Sequence, residues 1–174
     1  MKKNGFTLLE VLVVIVVIGI LATLVVSAAT FAMRAAREKR VEISCSVLQT
    51  AIHRYRSEYN EWPGGYEKGW GKSHVFSGAN NKKVFSMLRV GSDDNPDHIQ
   101  FIDETAFFTT ASGGEAQKLS ETDASTEMPL VFLARSGKVL DADGNYHYYR
   151  VTIDYDDEKV TVEHPGFQDE NEND

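Results

Sequence analysis

Cysteine is nearly missing from this chain of 174 residues: Cys45 stands alone, so no disulfide can close within it. Proline is scarce as well, four in all with none before Pro63, so nothing in the first third of the chain forbids one continuous helix. Positive charge is outweighed, 18 Lys and Arg against 26 Asp and Glu for a net −8, which excludes the basic footprint of a nucleic-acid binder. Catalytic pattern is lacking too. The five histidines, at 53, 74, 98, 147 and 164, are scattered singly, and no motif sets a nucleophile beside a base, so the chain is expected not to be an enzyme.

Charge is absent altogether from Val11 to Met33. Those twenty-three residues would span roughly 34 Å as a helix, enough for a hydrocarbon core of about 30 Å. A cleaved secretory signal is the rival reading, with Lys2 and Lys3 as its basic head and Val26-Ser27-Ala28 or Ser27-Ala28-Ala29 as its cut site. The run is too long for that, it follows the carboxylate of Glu10, and helical periodicity continues beyond the supposed cut. Val41, Cys45, Leu48, Ile52, Tyr55 and Tyr59 recur at spacings of three and four, one face of a helix that stops at Asn60-Glu61-Trp62-Pro63-Gly64-Gly65.

Glu10 is the residue that composition does not explain. A charge at mid-bilayer depth costs about 2.5–3.5 kcal/mol on insertion scales, so an acid at the head of a span calls for a partner. Lys2-Lys3-Asn4-Gly5, then Phe6-Thr7-Leu8-Leu9-Glu10-Val11 and a long apolar helix, resemble the leader of type IV prepilins and type II secretion pseudopilins. The resemblance implies a membrane prepilin peptidase that cuts between Gly5 and Phe6 on the cytoplasmic side and methylates the new amino terminus of Phe6. Glu10 would then neutralise that amine on a neighbouring subunit during filament assembly. Its other reading places it at the headgroup boundary, paired with Lys2 or Lys3.

Two features depart from the family. Lys2 and Lys3 face Arg34, Arg37, Lys39 and Arg40 across the span, and by the positive-inside rule that count favours the opposite orientation. Ser27 lies near where many family members carry a helix-softening proline.

Beyond Pro63 the signals are weaker. The glycine-rich stretch 64–72 lacks phosphate-loop spacing and reads as a loop. Asn81 to Leu88 is expected as a short helix capped by Asn80 or Asn81, and His98 to Ile102 as a strand; residues 109–128 are expected as a surface excursion. Leu130–Leu133, Lys138–Leu140, Tyr146–Ile153 and Lys159–Val162 read as an antiparallel meander whose Tyr149, Val151 and Ile153 pack on the helical stripe. Asp141, Asp143 and Asn145 offer oxygen ligands at alternate positions, with Asp156 and Asp157 one turn on, and the resemblance to major pseudopilins implies calcium there.

The expected fold is α+β: a long N-terminal transmembrane and amphipathic helix on a small C-terminal antiparallel sheet. Its parts are a leader (1–5), a span (6–33), an amphipathic continuation (34–62), a loop-rich region (63–128), the meander (129–164) and an acidic tail expected to be disordered (165–174). The resemblance implies a structural pseudopilin, or alternatively a type IV or competence pilin of a surface filament. Its implied setting is the bacterial inner membrane, single-pass, with the N-terminus cytoplasmic and the C-terminal domain periplasmic. Implied partners are prepilin peptidase, membrane lipid, further pseudopilins including copies of itself, and an inner-membrane assembly platform.

Overall fold

The computed structural model describes residues 7–67, 71–110, 116–123, 128–134, 138–140 and 143–165. One helix, α1 (Leu8–Tyr59), accounts for the first third of the chain. The chain divides into two compact units, Met1–Ala36 and Arg37–Asp174.

In the first unit the described residues are the cap and opening turns of α1. Its large apolar side chains are exposed on every side, from Leu8 at 85% to Phe31 at 75%, and the helix is long and apolar enough to cross a membrane. Hydroxyls within it are turned back onto the backbone. Thr23 donates to the Ile20 carbonyl (2.8 Å), Ser27 to Thr23 (3.1 Å) and Thr30 to Ser27 (2.9 Å), so none of the three needs a partner from lipid.

In the second unit the amphipathic part of α1 supplies one wall of the core. Val41, Ser44, Cys45, Leu48, Ala51, Ile52 and Tyr55 are buried, the expected stripe widened by two small residues, while Tyr59 is partly buried beside it. Asn60 ends the helix in the left-handed region (φ 54°), and Trp62 closes over the last turn beneath the Arg56 guanidinium, 5.4 Å from its ring centre. Gly64 follows at φ 89°, where a Cβ would stand 2.7 Å from the Phe76 ring, so only glycine passes.

Two three-stranded antiparallel sheets face this helix stripe in one hydrophobic cluster. The first has the order β1 (Ser73–Phe76), β5 (Arg150–Asp154), β6 (Lys159–Glu163). Val151 pairs with Val162 and Ile153 with Val160, and the buried positions alternate strictly along both strands. Gln49 of α1 donates to the Val160 carbonyl at 2.6 Å, fastening the helix to β6. The second sheet has the order β3 (Ala116–Lys118), β2 (Phe108–Thr110), β4 (Leu130–Val131).

The expected meander is corrected in part. Val131 bridges Tyr148 and Leu140 bridges Tyr146, both antiparallel, and β5 and β6 form its closing hairpin, as expected; in addition β4 pairs with β2, and β5 takes β1 as its other neighbour. The surface excursion expected at 109–128 is corrected as well, because it holds β3 and the buried Thr109 and Leu119.

Side-chain amides explain the other differences. The His98–Ile102 stretch is no strand, because Asn95 takes its ladder bonds: Asn95 Nδ2 donates to the Ile99 carbonyl (2.8 Å) and its Oδ1 accepts from the Ile99 amide (3.2 Å). Asn81 precedes α2 (Lys82–Leu88) but its side chain does not cap it. Instead it is fully buried, donating to the carbonyls of Leu130 (2.9 Å) and Tyr149 (3.1 Å) and accepting from the Leu130 amide (3.0 Å). Arg89, 2% exposed, holds the carbonyls of Leu119 and Thr122 at 3.3 and 3.4 Å and faces Glu104 at 3.5 Å.

Asn81→Ala should therefore lower the stability of the 37–174 unit by about 2–3 kcal/mol, since it orphans buried backbone groups. Asn80→Ala, on the exposed side, should stay within about 0.5 kcal/mol of wild type. Denaturant midpoints of the full-length chain in detergent decide; equal losses would mean that the Asn81 amide does not bridge β4 and the approach to β5.

Candidate processing and assembly site

The α-helix begins in a local sequence that satisfies part of its own end. An isolated helix N-terminus leaves four amide groups without partners, and in hydrocarbon each costs several kcal/mol. Thr7 is the N-cap: its carbonyl accepts the first helical bond, from the Val11 amide at 3.3 Å. Its hydroxyl accepts from the Glu10 amide at 3.2 Å, and Glu10 Oε2 in return accepts from the Thr7 amide (2.8 Å) and hydroxyl (2.9 Å). This is a capping box, reciprocal and closed.

Glu10 thus has a partner inside its own chain, which neither sequence reading foresaw. The signal was present as Thr7-Leu8-Leu9-Glu10, the S/T-x-x-E spacing that precedes an apolar run. Gly5 and Phe6, the expected cut, lie outside the described residues.

The comparisons bear on this stretch directly. Residues 1–26 match the family model described as the prokaryotic N-terminal methylation motif. The chain carries that motif. Over 62 residues, 36% of this chain, it is 39% identical to type II secretion system core protein G of Aeromonas hydrophila, covering 43% of that protein. The corresponding Escherichia coli K12 protein is 37% identical over the same length and coverage. With core protein G of Vibrio cholerae the match reaches 120 residues at 26% identity, 53% of this chain and 82% of that one. The chain thus spans less than half the length of the first two relatives. No solved structure matches it. The α+β architecture, one long N-terminal helix on small antiparallel sheets, is the pilin-like one that the resemblance implied.

The expected calcium ligands are Asp141, Asp143, Asn145, Asp156 and Asp157. Asp141 lies outside the described residues; Asp143 and Asn145 are exposed. Asp156 is paired with the Lys72 ammonium at 2.9 Å, and the β5–β6 turn is held by Asp154, whose Oδ1 accepts from the amides of Asp156 (3.1 Å) and Asp157 (3.0 Å). Among the described residues no three His, Cys, Asp or Glu side chains converge as a metal site.

The remaining reactive groups are structural. Cys45 lies on the buried stripe, where burial pushes its thiol up to about 11 and away from nucleophilic use. Burial also raises the Tyr149 hydroxyl, against a hydrogen bond with Ser44 of α1. His147 and His164 are half-buried against Phe132, ring centres 5.3 and 5.6 Å away.

Thr7→Val removes the capping hydroxyl at nearly constant volume, and should weaken the first turn of α1 by about 1 kcal/mol. Amide exchange at Leu9 and Glu10 in micelles should then rise about fivefold, with Thr7→Ser close to wild type. Unchanged exchange in Thr7→Val would contradict the capping role.

Proposed function

We propose that the chain is a structural pseudopilin subunit with no catalytic role. In this reading a prepilin peptidase removes residues 1–5 and methylates Phe6, and the processed chain waits in the inner membrane with α1 as its single span. Its 37–174 unit would face the periplasm. The assembly platform then draws subunits, this chain together with other pseudopilins, into the periplasmic pseudopilus of a type II secretion system. The observation that carries the reading is the methylation motif over residues 1–26, at the head of a helix whose apolar half is exposed. The core protein G relatives support a secretion pseudopilus over a surface pilin.

The capping box gives Glu10 a role at both stages. While the subunit waits in the membrane, Thr7 supplies hydrogen bonds to the carboxylate and makes its depth tolerable. On assembly, the Phe6 ammonium of an adjacent subunit supplies the opposite charge that Thr7 cannot. Deleting one member of a buried ion pair costs about 3–5 kcal/mol, against about 0–1 kcal/mol for an exposed pair.

Glu10→Gln should therefore leave the membrane pool at wild-type level and reduce sheared filaments by more than about a hundredfold, the equivalent of about 3 kcal/mol at each addition. Glu10→Asp should be partly defective. Coexpression with the secretion machinery, followed by quantification of filament and membrane fractions, tests this; normal filaments from Glu10→Gln would leave Glu10 only its cap.

A further inference from the structure

A small cavity of about 210 Å³ opens beside the approach to β5. Ser77 and Gly78, just after β1, line one part of it; Tyr146, His147, Tyr148 and Arg150, leading into β5, line another, together with Pro165 beyond β6. The rings of Tyr146 and Tyr148 stand 5.7 Å apart, and that of His147 packs on Phe132. Among the described residues no Asp or Glu lines this cavity, although the chain carries a net charge of −8.

Its walls hold hydrogen-bonding groups that the rest of the described chain leaves unused. Ser77 precedes the 3₁₀ turn Gly78–Asn81, but its side chain does not cap it. The Tyr148 hydroxyl makes no hydrogen bond among the described residues, and burial raises it, which keeps it protonated and able to donate. Nε2 of His147 is buried without a partner, a costly state for a polar atom. Arg150 decides the sign of the site. It stands directly across from Glu163 in the β5–β6 ladder, where the two could pair, yet among the described residues its guanidinium makes no ion pair, and its side chain lines the cavity.

We propose that this cavity binds the carboxylate of an acidic peptide side chain, with the Arg150 guanidinium as its ion-pair partner and the Ser77 and Tyr148 hydroxyls donating to its oxygens. An oxyanion accepts from all of these donors, whereas a cation or an apolar group would leave them unused. One guanidinium matches the single charge of a carboxylate better than the greater charge of a phosphate. Glu163 is the competing carboxylate, and a ligand wins Arg150 by meeting the hydroxyls at the same time. Two sources carry the ligand group: the segment that follows Pro165, with Asp169, Glu170, Glu172 and Asp174, and an acidic segment of another molecule. The site stands whether or not the chain is a pseudopilin.

The test is a titration of the full-length chain in detergent, following the Arg150 Nε–H and His147 ring signals by NMR. Two probes are compared: the peptide acetyl-Asp-Glu-Asn-Glu-Asn-amide and its uncharged counterpart acetyl-Asn-Gln-Asn-Gln-Asn-amide. Both chains of interest are full-length, the wild type and one in which Asp169→Asn, Glu170→Gln, Glu172→Gln and Asp174→Asn are combined. In the neutralised chain the acidic peptide should shift both signals saturably, and the uncharged peptide should bind at least about tenfold more weakly. Adding Arg150→Gln to that chain should weaken the acidic peptide about tenfold, and adding Glu163→Gln should leave it as tight or tighter. Arg150 is exposed, and unchanged amide signals elsewhere verify that its variant is folded. Weaker binding to wild type than to the neutralised chain assigns the carboxylate to residues 166–174; equal binding assigns it to another molecule. The absence of saturable shifts in both chains, equal affinity for the two peptides, or undiminished affinity in Arg150→Gln would overturn the proposal.

Discussion

Everything in this molecule hangs on the backbone hydrogen bonding of α1. For a helix whose first half is apolar on all sides, each amide or hydroxyl left without a partner in lipid is costly. Thr7 and Glu10 close its first turn, and Thr23, Ser27 and Thr30 return their hydroxyls to its own carbonyls. The absence of proline before Pro63 lets the ladder continue from there to Tyr59. An acid that looked anomalous by hydropathy is, by hydrogen bonding, what makes the first turn possible.

The second half of the same helix is a core element of a different kind. Its buried stripe meets strands only two to five residues long, too short to specify a sheet by themselves. Buried polar side chains make up the difference. Asn81 and Asn95 hold backbone groups that a longer ladder would have paired, and Arg89 gathers carbonyls near β3. These contacts are directional, so they fix where the loops run as well as adding stability.

How much of this was legible varied with length and periodicity. The stripe from Val41 to Tyr59 and the pairing surface of Tyr149, Val151 and Ile153 could be read directly, because their spacings repeat over many residues. β1, β2 and β3 carry three or four residues each, which leaves no period to detect. Asn81 looked like a cap because asparagine before a helix usually is one; that its amide points inward depends on β4 and on the approach to β5, both far along the chain. Thr7-x-x-Glu10 was fully visible, but it sits inside a membrane-targeting pattern that supplied another explanation for the same glutamate. Spacing likewise offered Asp156 as a ligand without showing that Lys72, distant in sequence, meets it.

The central claim is that this helix stays in the mature protein, with its cap and Glu10 intact behind a cut at Phe6. Intact mass of the chain purified from membranes that contain a prepilin peptidase tests it most directly. The account predicts a chain that begins at N-methylated Phe6 and retains all of α1; a chain beginning near Ala28 to Thr30, or still at Met1 despite the peptidase, would contradict it.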